Sequence, residues 1–528
     1  MNSTNRLALR GLCAVLALPG ALLAAPALAQ PLPAAPATVA AAPPTGPAAR
    51  AAVPDPLAIA LAPQPGGLTP EEAGKTAMKT KHSVRAKQAD LEAASAKVDQ
   101  AFVNYFPRLT LSATYTRLSN VAGFALGGGG YNLVLANGEG PITVGPCDAT
   151  KPTGPQCALG ANGQPAASKA TSFPAILNST SFVASLSVPI SDYLLRISQG
   201  YSAASHSEKG KRLELEAETL QAAADAKIAY YNWVRAKGSV VVTKQAVDQS
   251  RAHVEDANKT FAVGLISRAD VLRLEAQMAG AQQSQAETEA FAMLGEEQLK
   301  IVLSLPSGQA LAIGSDVMHE PVTPPTDTLA ALQDQAMAHR LEIRAFDETE
   351  LSLKETVSLA RAGYLPRLDA FADATMANPN QRIFPSVDSF QGTWDVGARL
   401  SWTLNDSFTA SGATAEAKAR VASLAEQKGN LRDGLRLEVV SAYADMQKSV
   451  ATIEASERQL TASEESLRVR NELFKNGKAT SVELVDAEAE VTRARLGRLN
   501  ARIGLAVARV RLDHATGRDV APRAAVAE

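Results

Sequence analysis

Two carboxylates near the end of the chain, Glu483 and Asp486, have a spacing that could serve a chemical function. Residues three apart on a helix share one face, so both side chains would point the same way. Like charges held close together repel each other and attract cations. The pair is therefore either a cation-attracting feature of a site or an ordinary solvated helix face.

The histidines and glycines form no catalytic or metal-binding motif. The six histidines contain no His-x-x-x-His pair, and the chain has no Cys-x-x-Cys pair. Gly127–Gly130 is not followed by Lys-Ser or Lys-Thr, so it is not a phosphate-binding loop. No catalytic pair of a nucleophile and a general base can be identified in the sequence. The sequence therefore predicts a protein that is not an enzyme and that uses no cofactor or metal.

Cys147 and Cys157 are the only cysteines after residue 29, and both lie in a long Gly-rich stretch from Leu118 to about Thr180. A disulfide between them would close a short loop and limit its disorder. We expect this bridge, and the alternative is two free thiols.

The beginning of the chain has the pattern of a targeting segment. Arg6 and Arg10 precede an apolar run, and Ala27-Leu28-Ala29 follows it as a small-residue cleavage site. We expect residues 1–29 to be a secretory signal peptide, and the Pro/Ala-rich residues 30–66 to be a linker. After the signal peptide, the sequence has no run of 18 apolar residues. If the protein enters a membrane, it must do so with strands.

The rest of the chain is an internal repeat. Tyr105-Phe-Pro-Arg-Leu109 recurs as Tyr364-Leu-Pro-Arg-Leu368, and in each copy a helical pattern stops before Pro107 or Pro366 and a strand pattern follows. The first helix is predicted from Glu71 to Phe106, with Thr69 as its N-cap. The predicted boundaries are a first repeat over 67–305, a linker over 306–328, a second repeat over 329–514 and a tail over 515–528.

Each repeat contains two segments of about ten residues in which apolar and polar side chains alternate, the length and period of strands that cross a bilayer. The apolar positions are Leu109, Leu111, Ala113 and Tyr115; Phe182, Ala184, Leu186, Val188 and Ile190; Leu368, Ala370, Ala372 and Ala374; and Trp394, Val396, Ala398, Leu400, Trp402 and Leu404. The alternative is a soluble sandwich, but four strands give too little sheet for a sandwich core.

Long helical segments follow the second strand of each repeat. Apolar residues recur every seven positions in both repeats, at Trp233, Val240, Val247, Val254 and Phe261 and again at Met446, Ile453, Leu460, Leu467 and Phe474. A sustained seven-residue period is typical of a coiled coil. The turns Val263-Gly264-Leu265 and Asn476-Gly477-Lys478 would reverse the chain and make each segment a helical hairpin.

These strands cannot close a barrel within one chain, and lipid does not allow an open sheet edge. Three copies would supply twelve strands, enough for a barrel with a pore. The predicted fold is therefore mostly α, with a long coiled-coil helical barrel and four transmembrane strands per chain that contribute to a twelve-stranded barrel in a homotrimer. The near-zero net charge of −2 argues against a nucleic-acid partner.

With its paired Tyr-x-Pro-Arg-Leu segments, four strands and two Gly-containing tips, the sequence resembles the TolC-type family of outer membrane efflux channels from about Leu68 to His514. The resemblance implies a homotrimer in the bacterial outer membrane, with a helical tunnel across the periplasm. It also implies a periplasmic adaptor protein and an inner-membrane pump as partners, in tripartite efflux or type I secretion. Substrates would pass through unchanged.

The resemblance also assigns candidate roles to residues. The two tips would dock onto adaptor hairpins, and Glu483 with Asp486 would form an acidic ring at the periplasmic entrance. Asp270 aligns with a residue that latches neighbouring hairpins, but its usual Tyr and Arg partners are Phe474 and Ala479 here. We therefore expect weaker or different latching, with Arg268 or Lys478 as candidate partners.

The sequence is also compatible with two other classes of protein. A periplasmic adaptor also carries a coiled-coil hairpin, but the two matched hairpins and four strands argue against it. A soluble coiled-coil scaffold would leave the alternating strands unexplained. The cargo, whether drugs, metals or proteins, cannot be predicted from these residues.

Overall fold

The computed structural model describes residues 56–120, 124–126, 141–165, 171–173 and 176–520. The predicted signal peptide, the first part of the predicted linker and the last eight residues of the predicted tail lie outside the described residues. The described helices are α1 Pro56–Ala60, α2 Pro70–Thr80, α3 His82–Val103, α4 Ile190–Asp192, α5 Ser198–Ala262, α6 Arg268–Leu303, α7 Leu329–His339, α8 Leu341–Arg361, α9 Asp406–Lys475 and α10 Ser481–Thr516. The described strands are β1 Arg108–Arg117, β2 Phe124–Leu126, β3 Thr143–Pro146, β4 Gln156–Leu159, β5 Thr171–Phe173, β6 Asn178–Val188, β7 Arg367–Asn378 and β8 Gln391–Ser401.

The first helix of each repeat is broken where the sequence predicts a continuous one. At Lys81 the backbone is extended (ψ 132°) and separates α2 from α3, and at Arg340 (ψ 122°) it separates α7 from α8. The prediction of a single helix from Glu71 to Phe106 was therefore wrong, although the N-cap at Thr69 is present as a full capping box. Both sides of the break keep helical composition, so periodicity does not reveal it.

Long-range ion pairs hold the residues at both breaks. The Lys81 ammonium lies 2.7 Å from Asp225 of α5. The nearly buried Arg340 contacts Glu342 at 2.9 Å and Glu438 of α9 at 3.1 Å, and it donates to the His514 carbonyl at 3.0 Å. A buried guanidinium needs such partners, because an unpaired buried charge is costly.

The four long strands form one antiparallel sheet in the order β1-β6-β7-β8. Cross-strand neighbours such as Leu111↔Ala184 and Ala184↔Ala374 connect the apolar positions of successive strands, so they lie on one face. The other face is mostly serine, threonine and charged side chains, but it also carries Val183 and Phe371. The strand predictions are confirmed in place and in facing, with two exceptions at the strand ends. β6 ends at Val188, so the predicted Ile190 lies in α4 instead, and β8 ends at Ser401, before the predicted Trp402 and Leu404.

The apolar face of this sheet is not covered by any other described part of the chain. Every residue of β1 is exposed, and the exposed fractions reach 75% for Leu111 and 74% for Trp394. A water-soluble sheet normally buries this face against a core. The sheet is also open at both edges, β1 and β8.

The coiled-coil prediction is confirmed in its main features. Helix α5 has 65 residues and α9 has 70, and each turns back into a 36-residue helix, α6 or α10. Most positions of the seven-residue stripes face the helical packing, with Trp233 fully buried and Met446, Ile453 and Phe474 nearly so. Phe261 differs, with an exposed fraction of 40%.

Two predicted boundary segments are partly packed into the fold. Leu57 and Leu61, inside the predicted linker 30–66, are buried in the same cluster as Trp233 and Leu499. At the other end, α10 extends to Thr516, which is fully buried, so the predicted tail 515–528 begins too early. The composition of the linker and of the tail gave no indication that Leu57, Leu61 and Thr516 are buried in the fold.

Candidate functional site at the hairpin tips

Both predicted tips are tight turns closed by a glycine. Gly264 has φ +80° and Gly477 has φ +67°, the left-handed region where a side chain is strained. The Leu265 amide donates to the Thr260 carbonyl at 3.1 Å, and the Lys478 amide donates to the Leu473 carbonyl at 2.8 Å. These bonds satisfy carbonyls at the ends of α5 and α9.

The two tips pack against each other within one chain. Val271 and Leu274 of the first hairpin, together with Phe474 and Leu484 of the second, form a buried cluster with exposed fractions of at most 3%. By contrast, Val263 and Leu265 at the outer end of the first turn are 71% and 63% exposed. The tips therefore combine a fixed internal core with apolar side chains left free at the outer end.

Asp270 connects the two hairpins. Its Oδ2 accepts hydrogen bonds from the Ser267 amide at 3.1 Å and hydroxyl at 2.6 Å, which makes a capping box at the start of α6. Its Oδ1 accepts a 2.6 Å bond from the Ser481 hydroxyl at the start of α10. The hydrogen bonds from Ser267 and then from Ser481 hold the pKa of the Asp270 carboxyl below its usual value.

The partner of Asp270 differs from both candidates suggested by the sequence. In the described part of the chain, its side-chain bonds go to Ser267 and Ser481, and not to Arg268 or Lys478. Ser481 is 1% exposed and also accepts a 3.3 Å bond from Arg273. A serine beside a threonine cap carries no signal of a contact with a residue 211 positions earlier, so the sequence did not reveal it.

Phe474 and Ala479 occupy the two positions where the resemblance of the sequence led us to expect a Tyr and an Arg. Phe474 is buried in the tip cluster, and Ala479 packs against that cluster. Neither side chain can donate a hydrogen bond to Asp270. The contact between the tips in this chain is therefore made by apolar packing, by the hydrogen bonds of Ser481 with Asp270 and Arg273, and by the ion pair of Asp256 with Lys475.

The predicted acidic pair lies on the exposed side of α10. Glu483 is the third residue after the Thr480 N-cap, whose hydroxyl accepts from the Glu483 amide at 3.3 Å. Arg470 of α9 lies 3.8 Å from the Glu483 carboxylate. Asp486 is exposed one turn later on the same face. Both carboxylates remain accessible in one chain.

A buried pair that the sequence analysis missed lies a few turns away from the tips. His253 Nε2 of α5 and Glu488 Oε1 of α10 are 2.6 Å apart, with exposed fractions of 9% and 5%. Neither carboxylate oxygen of Glu488 has a hydrogen-bond partner of good geometry in the described structure, and the close contact joins the two hairpins. Its residues belong to different repeats, and no spacing rule connects them.

At the far end of the repeats, Pro107 and Pro366 immediately precede β1 and β7. Beyond the sheet, Cys147 and Cys157 are joined by a disulfide with Cα atoms 4.9 Å apart. The disulfide ties the antiparallel pair β3 and β4, in which Gly145 faces Cys157.

Among the described residues, no group of three or more His, Cys, Asp or Glu side chains is placed to hold a metal ion. Within the same residues, no helix has both the length and the apolar character needed to span a membrane.

The chain matches the outer membrane efflux protein family over residues 149–301 and 332–518. The fold is similar to that of the Campylobacter jejuni CmeC outer membrane channel, with 15% identity, a TM-score of 0.66 and coverage of 85% of this chain and 88% of the other. It is also similar to the Vibrio cholerae outer membrane protein VceC, with 15% identity, a TM-score of 0.64 and coverage of 85% of this chain and 96% of the other. The open state of the Neisseria gonorrhoeae MtrE outer membrane channel is similar too, with 17% identity, a TM-score of 0.63 and coverage of 85% of this chain and 88% of the other. No curated protein matches the sequence.

The fold is thus that of the TolC-type channels, a class of outer membrane protein with long helical hairpins and a small sheet. The chain belongs to the outer membrane efflux protein family.

Proposed function

We propose that the protein is the passive outer membrane exit duct of a tripartite efflux complex. The observation that carries this proposal is the four-stranded sheet with an uncovered apolar face and two open edges. In water such a sheet is an aggregation hazard, whereas in a bilayer its apolar face is solvated by lipid. Family membership supports the efflux role.

A homotrimer supplies what the single chain lacks. Pairing β8 of each chain with β1 of the next would satisfy both edges and give twelve strands, with the polar face lining the lumen. Exposed apolar residues at the outer edge of α6, such as Phe291 and Ile301, would be covered by a neighbouring chain in the same ring. The long helices would then form a tunnel across the periplasm.

The hairpin tips would be the periplasmic end of the duct. Their exposed Val263 and Leu265, together with the second turn at Asn476-Gly477-Lys478, offer a surface for the hairpins of a periplasmic adaptor protein, which would connect the duct to an inner-membrane pump. The exposed Glu483 and Asp486 of three chains would surround the entrance with six carboxylates and favour cations there. The disulfide-bridged loop would face the cell exterior.

Membrane fractionation tests this proposal. We expect the full chain to be found in the outer membrane fraction, to resist extraction by alkaline carbonate, and to run as a heat-modifiable trimer in gels. Release by carbonate as a soluble monomer would contradict the proposal and favour the adaptor alternative. We do not favour that alternative, because the sheet and the two hairpins resemble channel structures over 85% of the chain.

A further inference from the structure

A polar cleft in the helical wall has an unusual surplus of positive charge. It lies between α5, α9 and α10 and has a volume of about 500 Å³. Arg235 of α5, Lys448 of α9 and Arg511 of α10 line it, and Asp445 is the one acidic residue in the lining. Each of three helices thus contributes one cation to the same cleft.

These charges are only partly balanced. Asp445 lies 3.6 Å from Arg511, which leaves Arg235 and Lys448 without an ion pair among the described residues. The Nε atom of Arg235 is buried and has no hydrogen-bond partner in the described structure. Burial, and then the neighbouring Arg511, lower the pKa of the Arg235 guanidinium, because desolvation disfavours its charged form and Arg511 repels it.

Small residues keep the cleft open. Gly497, Ala501 and Gly504 of α10 form part of its wall, and the nearest side-chain atom to a Cβ built at Gly504 is 3.9 Å away. Asn232 and Asn500 add neutral hydrogen-bonding groups to the lining. A cleft with cations, amide groups and open volume has the chemistry of an anion site.

The cleft faces away from the segment that connects the repeats. On the opposite side of α10, Arg502 donates to the Glu320 carbonyl at 3.2 Å, and Arg509 donates to the Pro321 carbonyl at 3.1 Å. Glu320 and Pro321 of the connecting segment therefore lie on that side of α10, and the side with the cleft is left uncovered by them. In the proposed trimer the uncovered side is the lumen, and this placement, but not the binding itself, rests on the proposed function.

We propose that this cleft binds an oxyanion of the phosphate or sulfate type, through Arg235, Lys448 and Arg511. A planar guanidinium can donate two parallel hydrogen bonds to such an anion, and an ammonium adds a point charge. The anion would satisfy the orphaned Nε of Arg235 and reduce the repulsion between Arg235 and Arg511. It could be free in solution or be part of a larger molecule in the duct.

Isothermal titration of the full-length protein in detergent, at constant ionic strength, tests the site with inorganic phosphate and with phenyl phosphate. We expect saturable binding, weakened at least about tenfold by Arg235→Gln, since a hydrogen bond to a charged group is lost. Tighter binding of phenyl phosphate would indicate an anionic group on a transported molecule, and equal binding would indicate the free anion. The matched control Arg251→Gln changes an exposed arginine of the same helix and should bind phosphate like the wild type.

Absence of saturable binding by the folded trimer, or equal binding by wild type and Arg235→Gln, would overturn the site. Because Arg235 is half buried, Lys448→Gln provides a second variant at an exposed position, and it should also weaken phosphate binding. Membrane fractionation of the cells that express each variant, before detergent is added, separates the two proposals. A carbonate-resistant trimer that binds no phosphate contradicts only the anion site, and a carbonate-extracted protein contradicts the duct.

Discussion

At the scale of single residues, the tips depend on a few polar contacts that connect elements far apart in sequence. Asp270 uses one carboxylate oxygen to cap its own helix and the other to bind Ser481 of the second hairpin. The same carboxylate therefore fixes a turn and fastens two repeats. The sequence singled out Asp270, but it could not select Ser481 over Arg268 or Lys478, because the choice depends on how the two hairpins pack.

The substitution Ser481→Ala isolates the contact between the tips. It removes a buried hydrogen bond to a carboxylate, for which we expect a cost of about 1.5–3 kcal/mol, and it also leaves Arg273 without that partner. Hydrogen exchange of the amides at the start of α6 and α10 should become faster. Ser466→Ala is the control, since Ser466 is exposed and makes only a 3.4 Å contact with Arg470. Unchanged exchange in Ser481→Ala would contradict the latch.

Acid should loosen the same contact. The folded state lowers the pKa of Asp270 below its usual value of 3.8, so its stabilising contribution is complete above that value. It is lost in the pH window below that value, as the pH falls through the lowered folded pKa. Exchange of the tip amides, corrected for the intrinsic effect of pH, should rise in this window in the wild type. Asp270→Asn, which cannot titrate, should show no such rise.

At the scale of elements, the period of the apolar residues was the main basis for predicting where the long strands and helices lie. Alternation located the four long strands, and the seven-residue stripe located α5 and α9, because burial of one face imposes these periods. The breaks at Lys81 and Arg340 could not be predicted, since the ion pairs that hold them come from Asp225 and Glu438. The β3–β4 hairpin was not predicted either, because the sequence indicated only a Gly-rich stretch there.

The disulfide is the main covalent constraint on that hairpin. A loop that spans 10 residues gives an entropic stabilisation of about 3 kcal/mol, so Cys157→Ser should loosen β3 and β4 without affecting the helices. Limited proteolysis should cut residues 141–165 faster in this variant, and reductant should have the same effect on the wild type. Wild-type protein that is alkylated at both thiols without prior reduction would show instead that the bridge is absent in the natural protein.

At the scale of the whole molecule, the single chain is incomplete. Its helices have a buried core, but its sheet leaves an apolar face and two edges uncovered. Assembly and lipid together would remove all three defects. This is the reason for proposing that the functional unit is a trimer in a membrane and not the single chain.

Substitutions at two neighbouring residues of β1 test whether the apolar face of the sheet contacts lipid or water. Leu111 lies on the apolar face and Ser112 on the polar face, and both are exposed in the chain. In a bilayer, Leu111→Arg should cost about 2–4 kcal/mol near the midplane and reduce the yield of heat-modifiable trimer, whereas Ser112→Arg should be tolerated. If both variants assemble equally well, the sheet does not face lipid.

The sequence by itself determined the repeat, the strands with their two faces, the long helices and the position of both tips. These features depend on local backbone preferences and on periodic burial, and both follow directly from the order of residue types in the sequence. Only the tertiary structure decided the partner of Asp270, the buried His253–Glu488 pair and the cationic cleft of Arg235, Lys448 and Arg511. Each of these joins side chains from different repeats, and their contact depends on the packing of the hairpins in space.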